Sequence, residues 1–407
     1  MTLIDRLGEQ NSLEAMSTTQ QAERRSLIAV STFPPWPDNN GFSLRILKLL
    51  QCLSRTWNVT LLAPAPLDAA DGQVVKAPFE FLPMPISGNG LNYAWRFDAT
   101  SLKEFVANVV RDRRPSVALL FCGAEGIWFD RPDFPRAVGD RIDCCTLEFW
   151  QRMWSARGLR RFASEVREMV ISAMHERRAV RDLAATVVVG EKDASILEWL
   201  SGRPVDIVTN GVDLPEVNPT SDENARPTVI FTGRLDYGPN VDAAVYGARK
   251  VWPMVRAGAP TARMVIAGRM PLPEVVQLQS EQGVEVLADV ADMSAQLRSA
   301  WVAIAPMRVG VGVKNKVLEA WACAKPVVMT KLATNGLSMP AGASAFVADS
   351  PEALAKAVLH LFADGKLRRN AGDLARALVA DKFSWKRVSG QLDEVLRRVC
   401  NQDAQRP

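Results

Sequence analysis

Short apolar runs and longer stretches of helical periodicity alternate along nearly the whole chain. Residues 26–32 (SLIAVST) form a continuous apolar segment, which predicts a buried parallel strand. The segment 34–41 (PPWPDNNG) ends it sharply. Phe42, Ile46, Leu49, Leu50 and Leu53 then recur at helical spacing, which assigns Arg45, Lys48 and Arg55 to the opposite, polar face. Residues 59–63 (VTLLA) read as a second strand. Strand, loop, helix and strand in this order make the first unit of a Rossmann-like sheet.

The pattern continues with a helix around 102–111, a strand at 117–121 and a short strand about Ile142. One long basic helical region follows from Phe149 to Leu183, then strands at 186–190 and 205–208. Residues 210–227 are rich in turn formers and poor in apolar positions, which marks a domain boundary. A second α/β unit begins at 228–233, with further strands at 264–268, 284–287, 302–305, 326–329 and 345–347. A long helix over 351–373 and a final amphipathic helix running to Cys400 close the pattern. The fold class is therefore α/β, two tandem Rossmann-like domains whose parallel sheets face each other across a cleft. The expected divisions are a mobile tail (1–25), a first domain (26–209), a linker (210–227), a second domain (228–382) and a terminal helix (383–407).

Composition agrees with this picture. A chain of 407 residues suits two domains at about 150 residues each. The net charge of +4 is too mild to announce a nucleic-acid binder, and no basic surface is interleaved with base-stacking aromatics. The six cysteines show no CxxC spacing; Cys52, Cys122 and Cys323 read as buried free thiols, and Cys144–Cys145 as a piece of strand. Two histidines, His175 and His360, belong to charged helical stretches and leave almost no material for a zinc site or a serine triad. No secretory leader is legible in 1–25, and no run approaches the roughly 20 apolar residues that cross a bilayer. A cytoplasmic, reducing compartment is expected.

In such folds ligands bind outside the carboxyl ends of the strands. The richest strand end is 309–330 (VGVGVKNKVLEAWACAKPVVMT), where a loop with Gly310 and Gly312 opens a helix near Asn315. A helix N-terminus attracts phosphate, Lys314 and Lys316 add charge there, and Glu319 lies one turn on, placed to accept from ribose hydroxyls. These residues suit a nucleoside diphosphate; they also read as a lysine-rich surface turn with a solvated glutamate. Arg234 follows another strand and would meet the same cleft, where it could neutralise a leaving pyrophosphate. No GxGxxG follows the first strand and no GxxxxGK[ST] occurs, which argues against a dehydrogenase and a P-loop ATPase.

The segments GRLDYGPNVDAA (233–244) and GVGVKNKVLEAWACAKPVVMT (310–330), with Asn335-Gly336-Leu337, resemble the donor-binding half of GT-B glycosyltransferases. The nearest resemblance is to the family-4 retaining enzymes (glycosyl transferases group 1) of bacterial exopolysaccharide clusters. VVVGEKDASIL (187–197), TNGVD (209–213) and the opening STFPPWPDNNGFSLRILKLLQCLS (31–54) extend it over about 26–400. The resemblance implies that Arg234, with Lys314 or Lys316, binds the donor diphosphate, and that Arg234 and Lys316 act in catalysis. It implies that Glu319, the second glutamate of an E-x7-E motif, holds the ribose. Gly41 would approach the phosphates on closure, and Asn210 and Gly211 would line the hinge. Phe383-Ser384-Trp385 matches the point where the chain crosses back, so the last helix should pack on the first domain. Two departures stand out: Val311 replaces the first motif glutamate, and the histidine that many relatives carry in the first domain is missing, its likeliest region being the strand near Asp143.

The expected reaction is transfer of a sugar from a UDP- or GDP-linked donor to a hydroxyl acceptor, with retention, no metal and no resident cofactor. The alternatives are a sugar-nucleotide epimerase of the same fold and a catalytically inactive partner subunit. On the acceptor side, 152–181 holds eight arginines against three glutamates, with Trp150 and Trp154 at its start. This region suits peripheral contact with anionic lipid and a saccharide or lipid-linked acceptor; a solvated helix face, or tryptophans stacking on sugar rings in the acceptor cleft, are the other readings.

Overall fold

The computed structural model describes residues 24–36, 41–64, 77–84, 99–121, 123–128, 134–155, 158–217, 226–310, 312–340 and 342–403. Most of the expected tail lies outside the described residues, as do Cys122, Arg157, Val311 and part of the linker.

The first sheet holds β1 (Ser26–Val30), β2 (Asn58–Ala63), β3 (Glu80–Pro83), β4 (Val117–Phe121), β5 (Ala137–Ile142), β6 (Ala185–Val188) and β7 (Asp206–Ile207). Its order is β3-β2-β1-β4-β5-β6-β7, parallel throughout. The second sheet holds β8 (Thr228–Thr232), β9 (Arg263–Gly268), β10 (Val284–Ala288), β11 (Val302–Ala305) and β12 (Val327–Met329). Its order is β10-β9-β8-β11-β12, again parallel. Parallel strands are covered on both faces, so they appear in sequence as continuous apolar runs; β4 and β8 are buried at every position.

The main helices are α1 (Gly41–Leu53), α2 (Ala99–Arg113), α3 (Cys145–Ser155), α4 (Leu159–Asp182), α5 (Glu191–Ser201), α6 (Gly238–Tyr246), α7 (Asn315–Ala322), α8 (Pro351–Ala363), α9 (Gly365–Lys382) and α10 (Trp385–Asp403). Strand order reverses between β1 and β4 in one sheet and between β8 and β11 in the other. These are the switch points where open α/β sheets form crevices. The helices that leave them, α1 and α7, point their N-termini at each other: a Cβ on Gly41 would lie 2.9 Å from Asn315 Nδ2.

Helix α10 crosses back to the first domain. Trp385, Val388, Leu392, Val395, Leu396 and Val399 bury themselves in the same core as Leu27, Leu49, Leu61 and Phe121. The crossing is pinned where Val212 N donates to Phe383 O at 2.8 Å, and Gly211 packs so tightly on Trp385 that a Cβ would come within 2.4 Å of the indole.

Several local expectations change. The basic region is two helices, α3 and α4, separated at Gly158, whose φ is 95°. The long helix after 351 also divides, because the Asp364 carboxylate accepts from Leu367 N at 2.8 Å and caps α9. Cys144 and Cys145 open α3 and are not strand. The segment 345–347 contributes a 3-10 turn (Ala343–Phe346) that buries Phe346, with only Val347 bridging Met329. Strand β3 was not expected; as a four-residue edge strand ending in Pro83 it lacks the usual signature.

Arg45 is the largest correction. It does not belong to a solvated face; its side chain is fully buried. Nε donates to Asp140 Oδ2 at 2.9 Å, Nη1 to Thr209 O at 2.7 Å and Asn210 Oδ1 at 3.1 Å, and Nη2 to Val208 O at 2.9 Å. Removing one partner of a buried pair strands the other. We therefore expect Arg45→Met to destabilise the first domain by about 3–5 kcal/mol, measured as a lowered urea midpoint. Asp140→Leu in the same chain should recover part of the loss, and an unchanged midpoint in Arg45→Met would refute this role.

Candidate active site

The loop between β11 and α7 carries the basic cluster. Lys314 is the N-cap residue of α7 and is buried. Its Nζ donates to Gly312 O at 2.8 Å and Gly310 O at 3.4 Å, so the ammonium ties the glycine loop together. Burial lowers its pKa to about 8, although Asp143 and Asp193 pull it upward.

Lys316 lies one step into α7, donates to Asn240 Oδ1, and stands 4.6 Å from the centre of the Phe231 ring. Burial pushes its amine down to about 7, against the pull of Glu319. Glu319 is one turn along the same helix, its carboxyl raised by burial and partly restored by Lys316. Asn240 joins this group to the β8 strand end, because its Nδ2 donates to the Arg234 carbonyl at 2.9 Å. The structure thus gathers Lys314, Lys316 and Glu319 with the backbone of Arg234.

The Arg234 guanidinium is turned elsewhere. Its Nε and Nη2 each donate to Asp236 at 2.8 Å, in a bidentate pair on a side chain that is 47% exposed. Of the expected hinge residues, Asn210 bridges the domains: its Nδ2 donates to Asn315 Oδ1 at 3.0 Å. Gly41 faces the same asparagine. Val311, where the motif departs, lies outside the described residues.

A first-domain carboxyl completes the cleft. At the end of β5, Ile142 has a φ of 62°, a conformation that a β-branched residue rarely adopts. The turn aims Asp143 across the cleft at the glycine loop, where a Cβ on Gly312 would lie 2.3 Å from its Oδ1. That oxygen is buried and accepts no hydrogen bond among the described residues. Burial first, then the neighbouring Asp193, raises the Asp143 carboxyl to about 6, with Lys314 opposing. Asp193 is itself fixed, accepting from Cys144 N at 2.8 Å at the start of α3. Sequence reading reached only the region of Asp143; Asn240 and Asn315 stood inside the quoted motifs without a role. Among the described residues no group of three or more histidine, cysteine or acidic side chains could hold a metal ion.

Comparison with known proteins bears on the fold that holds these residues. Residues 226–364 match the family model of glycosyl transferases group 1. The match spans most of the second domain. No curated protein sequence matches the chain. Among solved structures it is similar to a sucrose-phosphate synthase from Thermosynechococcus elongatus, at TM-score 0.69 and 16% identity over 93% of this chain and 100% of the other. Anabaena Alr3699/HepE, solved with UDP and glucose, aligns at TM-score 0.66 and 13% identity over 92% and 100%. WaaG, a glycosyltransferase involved in lipopolysaccharide biosynthesis, aligns at 0.60 and 14% over 91% and 99%. The two facing domains therefore have the GT-B fold, and the basic loop falls inside the matched residues.

Lys316 offers a direct check on this electrostatic picture. Its depressed pKa means that the ligand-free amine loses its proton as pH rises through about 7, well below the ordinary lysine range. NMR of lysine-labelled protein should show one side chain titrating near there, absent in Lys316→Arg; uniform titration of all lysines in their usual range would contradict it.

Proposed function

We propose that this chain transfers a hexosyl group from a nucleotide-sugar, UDP- or GDP-linked, to a hydroxyl of a saccharide or lipid-linked acceptor in polysaccharide or glycoconjugate assembly, on the cytoplasmic side of a membrane. The observation that carries the reading is the pair of lysines at the α7 N-terminus, set inside the residues that match group 1 glycosyl transferases, at the switch point facing the first domain. Two anionic phosphates would relieve what is unfavourable there: crowded, desolvated ammonium groups regain full charge when a diphosphate arrives.

In this reading the bond from the anomeric carbon to the diphosphate breaks, and its electron pair leaves with the nucleoside diphosphate. Lys316 and Lys314 stabilise that charge, helped by the α7 dipole. Glu319 accepts from the ribose hydroxyls. The acceptor oxygen bonds to the anomeric carbon; under retention it enters on the face the diphosphate leaves, so the departing phosphate oxygen is the nearest base for its proton. Arg234 is the third cation. Its exposed pair with Asp236 is worth at most about 1 kcal/mol, so exchanging that carboxylate for a phosphate is cheap. With two lysines at the leaving group and Arg234 free to join them once it exchanges Asp236 for phosphate, the reaction needs neither a metal nor a resident cofactor. Asp143, facing the loop from the first domain, orients the sugar or the acceptor hydroxyl.

Calorimetric titration with UDP and GDP tests the donor assignment, and failure to bind these or any other nucleotide would sink it. Lys316→Ala and Arg234→Ala should each reduce kcat/KM on the order of 100-fold while leaving the melting temperature nearly unchanged; equal losses of activity and stability would make both residues structural. A chelator should leave the rate unaltered. Nucleotide release that requires no acceptor would favour an epimerase. The acid limb of the pH–rate profile should lie near 6, where Asp143 takes up its proton on going to lower pH, and should vanish in Asp143→Asn; a limb that persists there assigns the titration to another group.

A further inference from the structure

Helices α3 and α4 form an antiparallel hairpin whose inner end packs on α5 and β6 of the first domain. Their direction follows from the contacts at each end: Glu176 accepts from Cys145 N at 2.7 Å near the body, and Arg152 meets Glu165 at 3.1 Å further out. The acidic side chains on the inner side are buried and already matched, Glu176 by Arg141 and the α3 N-terminus, Glu165 by Arg152. The outer end is different. Every residue from Gly158 to Ser164 is exposed.

That exposed end is apolar as well as basic. Trp154 is 70% exposed, Leu159 84% and Phe162 40%, with Trp150 packed edge-on against Trp154. Along α4, Val170 and Met174 are also exposed and fall within about 60° of Leu159 at 100° per residue. Arg160 and Arg161 stand in the first turn of α4 with Leu159, about 100° and 200° around the helix from it, so they flank the apolar arc at the tip; Arg177 falls on the line of the arc but at the body end, beside Glu176. Among the described residues Arg160, Arg161 and Arg177 make no ion pair, whereas the exposed acids Glu168 and Asp182 are paired with Arg167 and Arg178. A soluble surface seldom groups large apolar side chains in this way. Apolar side chains at a tip, ringed by unpaired guanidinium groups, are complementary to an anionic bilayer surface, where phosphates lie directly above the acyl chains.

We propose that the tip of the α3–α4 hairpin docks this protein on anionic phospholipid, inserting Trp154, Leu159 and Phe162 among the headgroups while Arg160 and Arg161 bind lipid phosphates. The docking itself is independent of the reaction. Its consequence for the acceptor rests on the glycosyltransferase reading. Helix α3 begins two residues after Asp143 and is about 16 Å long, so a docked tip holds the cleft at a fixed, short height above the headgroups. An acceptor anchored in the same bilayer then enters from the side of Asp143, opposite the basic donor loop.

Flotation of the full chain with vesicles decides it. The protein should float with phosphatidylcholine vesicles that contain phosphatidylglycerol and remain below with phosphatidylcholine alone, and added salt should weaken the association. Trp154→Ser/Leu159→Ser/Phe162→Ser and Arg160→Glu/Arg161→Glu should each weaken it about tenfold or more, with unchanged circular dichroism and melting. Brominated acyl chains should quench tryptophan fluorescence in the parent protein and less in Trp150→Phe/Trp154→Phe. Lys316→Ala should float like the parent, so a failure of the donor site is separable from a failure of docking. Absence of flotation, or flotation that survives both tip variants, overturns the proposal. So does a tip variant that converts a dimer to a monomer in light scattering while the parent ignores vesicles, which would make the face a contact between two copies.

Discussion

One buried guanidinium connects the parts of this molecule. Arg45 reaches from the first helix to the carboxylate of Asp140 on a central strand, to two carbonyls at the end of the first domain, and to Asn210 at the hinge. Asn210 in turn bonds Asn315, the first residue of the helix that bears the basic cluster. A planar group with five donors satisfies several acceptors in fixed directions, which a lysine could not do. The position of the second domain's helix relative to the first sheet therefore depends on hydrogen bonds whose geometry is set deep inside the first domain. Lys48, one turn along α1, meets Asp213 just beyond the hinge at 2.8 Å and guides the same junction from outside.

The cleft that results is under electrostatic tension in two places. Lys316 and Glu319 share a poorly solvated part of α7, and Asp143 and Asp193 share the opposite wall near Lys314. Folding tolerates this because the loop and helix that hold these groups are anchored elsewhere: the glycine loop by Lys314, α3 by Asp193 and Glu176, and the α7 body by Val317, Leu318 and Trp321 in the second core. Burial disfavours the charged form of each of these groups, so a ligand of opposite charge would relieve that cost. Strain at Ile142 belongs to the same pattern, since a left-handed β-branched residue persists only where its surroundings dictate it.

Most of the architecture was legible because parallel strands are buried on both faces and leave unbroken apolar runs, as at β4, β8 and β11. The basic loop was legible as a feature because glycines, lysines and a helix start coincide over a few residues. Long-range pairing was not. Arg45 and Asp140 are 95 residues apart, and helical periodicity assigns any arginine to solvent unless its partner is known. Arg234 was read as free to face a ligand because the sequence does not show that Asp236, two residues on, takes both of its donors. Asp143 carries no motif at all; its significance comes from a backbone turn and from the loop of another domain lying opposite. Strand β3 was missed for the same kind of reason, since its stability comes from pairing with β2 and little comes from its own residues.

The crossing of α10 has a consequence for how the protein is made. The second domain's core is assembled from residues between Val229 and Phe383, so it is whole before the last helix emerges during synthesis. The first domain lacks one wall of its core until Trp385 to Cys400 arrive. Synthesis therefore completes the later half first, and the earlier half must wait, with part of its apolar interior open to water and to chaperones. Separate expression of the first domain would make that waiting state permanent.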